Sequence, residues 1–150
     1  MKKLLLGLTV AALASTAAAD QVGGYLFGIQ YQQDNGLRYG LGLPLVSVFG
    51  GSATLAVNGD VSYLIPFDTG ADTGNFSTYY GFGLGAGVYL GGGAGFSLYP
   101  NVLAGVNFNN TSDFTPFLEA SAGPSIGLGT GGGGIGLGYG LRLGVNYRLP

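Results

Sequence analysis

The chain of 150 residues contains no cysteine, no histidine and no tryptophan, and only 8% of it is charged. Without cysteine there is no disulfide framework and no thiol redox chemistry. Without histidine or cysteine, the Ser-His-Asp and Cys-His arrangements have no base. Five cationic side chains in the whole chain cannot form the basic stripe that a nucleic acid requires. An apolar content of 47% sets the chain apart from a disordered acidic tail. No run of about 18 apolar residues follows the first twenty positions, so no membrane-spanning helix is expected.

What is present begins with an export signature. Met1-Lys2-Lys3 is positively charged, Leu4 to Leu13 is apolar, and Ala17-Ala18-Ala19 is a run of small residues. This pattern predicts a secretory signal peptide over 1–19, cleaved after Ala19, and one domain over 20–150. That domain keeps three arginines against six aspartates and one glutamate, a formal charge of −4.

Alternation with period two dominates the domain. Ile135, Leu137, Tyr139, Leu141, Leu143, Val145, Tyr147 and Leu149 alternate with glycine, arginine and asparagine. Apolar residues at every second position describe a strand with one greasy face. Similar runs cover Tyr25–Tyr31, Leu37–Leu43, Leu55–Ile65, Phe76–Leu90, Phe96–Phe108 and Phe114–Leu128, which gives seven strands counted directly. Most exceed the ~5–6 residues usual in soluble strands and reach the ~9–11 of a tilted membrane strand.

Turn chemistry sets the pairing, because paired residues must share a side. Asp34-Asn35-Gly36 pairs Gln33 with Leu37 and places Gly36 where a left-handed residue is needed. Asn58-Gly59 resembles a hairpin turn, but turning there would put Asp60 and Ser62 on the greasy face. The strand is therefore read as continuous. A change of phase between Leu43 and Val46 calls for a bulge near Pro44. A six-residue loop at Gly129–Gly134 would pair Leu128 with Ile135 and set Glu119 opposite Gly144, diagonal to Arg142. Arg38 and Asp60 become diagonal neighbours in the same way. The register thus predicts two ion pairs between adjacent strands, Glu119 with Arg142 and Asp60 with Arg38.

All five charges within strands, Arg38, Asp60, Glu119, Arg142 and Arg148, fall on the glycine-rich face. The opposite face carries none, as a lipid-facing surface requires, since Arg or Lys at mid-bilayer costs ~2–4 kcal/mol. The expected fold is all-β: a small closed antiparallel transmembrane β-barrel whose lumen holds these charges. Tyr31, Tyr63, Phe76, Phe108 and Phe114 flank turns at one end, where an interfacial aromatic girdle belongs.

A cleaved signal, alternating strands and the closing stretch GYGLRLGVNYRLP resemble the small outer-membrane β-barrels of diderm bacteria, the OmpA- and OmpX-like group. The resemblance implies about eight strands, residence in the bacterial cell outer membrane among its lipids, and insertion by the barrel-assembly machinery. The chain departs from the family's terminal aromatic, closing on Tyr147-Arg148-Leu149-Pro150. Its function is then a structural or interaction role in the cell envelope. The alternatives are a narrow pore for water, ions or small solutes, and a secreted ligand-binding barrel with its faces inverted. The oligomeric state is open.

Asp68-Thr69-Gly70-Ala71-Asp72 resembles the active-site stretch of retroviral-type aspartic proteases, but the apolar-apolar-Gly-Arg/Asp element that supports that site is missing. Asp, Thr, Gly and Asn are also ordinary turn formers, so these residues are read as a connection between strands. GTGGGG at 129–134 lacks the Lys-Ser/Thr of a phosphate loop. Neither an enzymatic centre nor a metal or cofactor site is expected.

Overall fold

The computed structural model describes residues 20–42, 55–67, 74–90, 94–109, 113–130 and 132–150. The expected signal peptide, the bulge near Pro44, Asp68 and Asp72 lie outside the described residues. Eight strands follow one another around a closed barrel: β1 (Gln21–Tyr25), β2 (Gly28–Gln32), β3 (Leu37–Gly42), β4 (Leu55–Phe67), β5 (Phe76–Leu90), β6 (Ala94–Phe108), β7 (Phe114–Gly129) and β8 (Gly132–Arg148). Every neighbouring pair is antiparallel, and β1 closes on β8 through Gln21↔Arg148 to Tyr25↔Gly144.

The eighth strand comes from splitting the first run. Tyr25–Tyr31 is not one strand: the chain reverses at Leu26-Phe27, pairing Tyr25 with Gly28. Phe27 sits at φ 69°, a left-handed conformation rarely taken by an aromatic residue. The turn has no Asn-Gly signature, and the even spacing of aromatics across it imitates a continuous strand. Reversal also flips the phase, so Tyr25 points into the lumen rather than outward. There its ring lies over Gly28, where a Cβ would collide with it.

The Asp34–Gly36 turn forms as its sequence predicts. Gln33 N–H donates to Leu37 O at 2.8 Å, Gly36 N–H to Gln33 O at 3.0 Å, and Leu37 N–H to Asn35 Oδ1 at 2.9 Å. Gly36 has φ +88°, and a Cβ there would strike the carbonyl oxygen of Leu64. Gly36→Ala is therefore expected to lower stability by ~1–3 kcal/mol. The readout is the urea midpoint of the protein refolded in lipid vesicles, at unchanged slope. An unshifted midpoint would mean that this turn is not formed.

The strand over Asn58-Gly59 is continuous, as β4. Pro100 and Pro124 occupy mutually opposite positions on β6 and β7. The ladder between these strands stops after Leu98↔Ile126 and resumes at Val102↔Ala122 in the same register. Neither proline can donate a hydrogen bond, so concentrating both at one level confines the break to a single place. Asn101 Nδ2 donates to the Tyr99 carbonyl there at 2.9 Å. Gly123 lies against the Pro100 carbonyl with no room for a Cβ.

Between β7 and β8 the register departs from expectation. Gly129 pairs with Gly132, leaving a two-residue turn instead of a six-residue loop. The shift is two residues, so the faces are unchanged but Glu119 now stands directly opposite Arg142. A run of glycine carries no side-chain pattern, and sequence alone cannot say where the turn falls within it.

Candidate functional site: a charged layer across the lumen

The register assigns every strand position to one side of the wall. Across the described strands, no outward position carries a charge. Arg38 on β3, Asp60 on β4, Glu119 on β7 and Arg142 on β8 all point inward. β3 and β7 lie four strands apart in a ring of eight, and so do β4 and β8. The four charges therefore face each other across the lumen as two diametric pairs.

Arg38 reaches Glu119 through two parallel bonds, Nη1 to Oε2 at 2.6 Å and Nη2 to Oε1 at 2.9 Å. The planar guanidinium matches a carboxylate in this bidentate way. Its Nε donates to Ser62 Oγ at 3.0 Å, and the Tyr79 hydroxyl donates to Glu119 Oε2 at 3.1 Å. The Arg38 and Glu119 side chains are only 1% and 2% exposed. Arg142 Nη2 meets Asp60 Oδ1 at 2.6 Å, and its Nη1 lies 3.6 Å from Glu119 Oε1. The Tyr25 ring supports the Arg142 guanidinium at 4.9 Å.

Glycine on neighbouring strands makes these reaches possible. A Cβ at Gly40 would collide with the Asp60 carboxylate, and one at Gly105 with the Tyr79 ring. Each of these large inward side chains lies flat over a residue that has none.

The pairing corrects the sequence expectation. Glu119 pairs with Arg38 rather than primarily with Arg142, and Asp60 pairs with Arg142 rather than with Arg38. Register constrains only adjacent strands, whereas an eight-stranded lumen is narrow enough for side chains to meet across it. Arg148 stands apart: it is exposed at the end of β8 and makes no ion pair among the described residues. Its backbone N–H donates to Asp113 O at 3.0 Å.

On the side of the layer toward the chain termini, Leu64, Tyr79 and Leu103 form a buried cluster, and Phe117 is fully buried. Gln30 Nε2 donates to Asn146 Oδ1 at 2.8 Å in the same half. On the other side the inward positions are mostly glycine, with Asn58, Tyr89, Ser97, Tyr99, Asn101, Ser121 and Ser125. The lumen is thus filled in one half, while in the other glycine and small polar groups are interrupted by the Tyr89 and Tyr99 rings, which lie over Gly95 and Gly138.

No family model matches the chain, and no curated protein matches it. Among solved structures it is similar to a major outer membrane protein from Thermus thermophilus, at 13% identity and a TM-score of 0.39, over 89% of this chain and 100% of that one. The likeness is distant, and the reading of the lumen rests on its own geometry.

Tyr79, Ser62 and Tyr25 complete the layer, and sequence reasoning named none of them as site residues. The inward phase of Tyr79 and Ser62 was visible in the alternation, but nothing marked them as partners of a distant strand. Tyr25 was hidden by the unrecognised turn. The five flanking aromatics all occupy outward positions toward the terminal end. Tyr63, Phe108 and Phe114 are exposed, and Phe76 is half-buried. Tyr31 is buried, its hydroxyl donating to the Asp20 carboxylate.

Proposed function

We propose that the protein is a small integral barrel of a bacterial outer membrane, with a structural or interaction role in the envelope and a closed lumen. The observation that carries this reading is the buried Arg38–Glu119 pair laid across the lumen diameter. A pore would need that path open. The apolar outer face supports a membrane setting, because a charge-free surface of Leu, Val, Ile, Phe and Tyr suits lipid and not water. A secreted ligand-binding barrel would need the opposite arrangement. The outward aromatics at the terminal end are proposed to lie at the membrane–water interface. Export through residues 1–19 and insertion by the barrel-assembly machinery belong to the same proposal, and no enzymatic step is part of it.

Two measurements test it. Alkaline carbonate washing should leave the protein in the membrane pellet, and release into the soluble fraction would overturn the membrane reading. In planar bilayers the purified protein should carry no steady current. A stable ohmic current from the wild-type chain would instead establish the pore, which the glycine-rich half of the lumen favours.

A further inference from the structure

The wall of the barrel is uneven. β1 and β2 have five residues each, whereas β5 to β8 have 15 to 17. Five residues at about 3.3 Å each, tilted by about 40°, rise about 13 Å, half of an apolar band about 25 Å tall. On the membrane reading, the Leu26-Phe27 turn therefore lies at mid-depth in hydrocarbon. Its composition agrees. Turns in water favour Asn, Asp and Gly, and here both residues are large and apolar. Among the described residues, the wall above the turn is low. The β1–β8 ladder ends at Tyr25↔Gly144, capped by Leu26 N–H donating to Leu143 O at 3.0 Å. Among the described residues, β8 from Gly132 to Arg142 pairs with β7 alone.

A groove of about 540 Å³ lies at this low margin. Leu26, Phe27, Pro116, Leu143 and Val145 give it an apolar outer lining, and Tyr25 and Gly144 belong to the lumen side of its rim. The groove is shallow and open along the outer face rather than an enclosed cavity. Gly24 faces it with open space, since a Cβ there would meet nothing within 4 Å.

We propose that this groove seats one long aliphatic chain entering sideways from the bilayer, with a neutral head at the lumen rim beside Tyr25. The proposal rests on the membrane reading above. The chain class follows from the lining. Lipid surrounds the barrel with equally apolar matter, so preference for the groove comes from packing against its concave wall. The head class follows from the charges. Arg142, the cation nearest the rim, already has Asp60 at 2.6 Å and Glu119 at 3.6 Å, so an anionic head would find no unmatched cation there.

The test uses hexadecanol carrying a mid-chain diazirine, mixed into phosphatidylcholine vesicles holding the full folded chain. After irradiation, adducts are mapped by peptide mass spectrometry. Leu26, Phe27, Leu143 and Val145 should be labelled about fivefold more than Phe82, Leu84 and Val102, the ratio for roughly 1 kcal/mol of preference. Gly24→Leu, which fills the groove from its floor, should remove the excess, and Val145→Phe should do so from the side. A heat-shifted gel band verifies that each variant is folded. The analogous diazirine hexadecanoic acid should label these positions less than the alcohol does. Even labelling around the barrel, or an excess that survives both folded variants, would overturn the groove. Stronger labelling by the acid would overturn the neutral head. Failure of the membrane reading would show separately, as protein released from the vesicles by carbonate.

Discussion

Glu119→Gln is expected to destabilise the folded barrel by ~3–5 kcal/mol, the cost of stranding one member of a buried ion pair. Its side chain is 2% exposed and holds both arms of Arg38. The amide keeps one acceptor oxygen for Arg38 but no charge, and among the described residues no other carboxylate can balance the guanidinium, because Asp60 is engaged by Arg142. Arg38→Met should cost less, since Glu119 retains the Tyr79 hydroxyl at 3.1 Å and Arg142 at 3.6 Å. The double variant should lose much less than the two singles together, because replacing both charges removes the unpaired one. Reversible urea unfolding in lipid vesicles gives all three values. The same cycle between Arg38 and Asp60 should show weak coupling. If Arg38 couples to Asp60 instead, the pairs form between adjacent strands and the cross-lumen geometry is wrong.

The chain spells out one part of this layer and hides another. Alternation placed Arg38, Asp60, Glu119 and Arg142 on one face, and the closed barrel carries all four inward. The Asp34–Gly36 turn was legible because Asn35 and Gly36 are residues that such a turn requires. The Leu26-Phe27 turn was not, because its residues are chosen for their surroundings rather than for backbone preference. The glycines at 129–134 hid the β7–β8 register for a different reason. Glycine fits every turn position and every strand position equally, so it selects none. Pairing across the lumen was invisible in principle. It depends on ring closure, which makes β3 and β7 neighbours in space despite the 81 residues between Arg38 and Glu119.

Phe117→Ala should be the most damaging loss of apolar volume in the lumen. Phe117 is completely buried, in the half of the lumen that side chains fill. It sits opposite Gly144, and a Cβ on that glycine would come within 2.7 Å of the ring. Truncation should cost ~3–5 kcal/mol, with Phe117→Leu much milder because it leaves a smaller void. Gly144→Ala should also destabilise strongly, since its new methyl would strike both the ring and the Gly24 carbonyl. The size of the Phe117→Ala loss reports on the lumen itself. Phe117 stands apart from the Leu64–Tyr79–Leu103 cluster; its ring lies against Gly144, and Glu119 of the charged layer is two residues on along the same face of β7. A packed, dry floor cannot collapse around the missing ring, because the β-ladders fix the wall, so the full penalty should appear in vesicle unfolding. A loss below about 1.5 kcal/mol would put the site in the range of a mild apolar swap and imply that neighbours or water already fill it. Bilayer conductance gives a second readout. Removing the ring leaves the Arg38–Glu119 bridge in place, so Phe117→Ala should remain as closed as the wild type. A current appearing in this variant would mean that the aromatic plug, rather than the ion pair, is what seals the barrel.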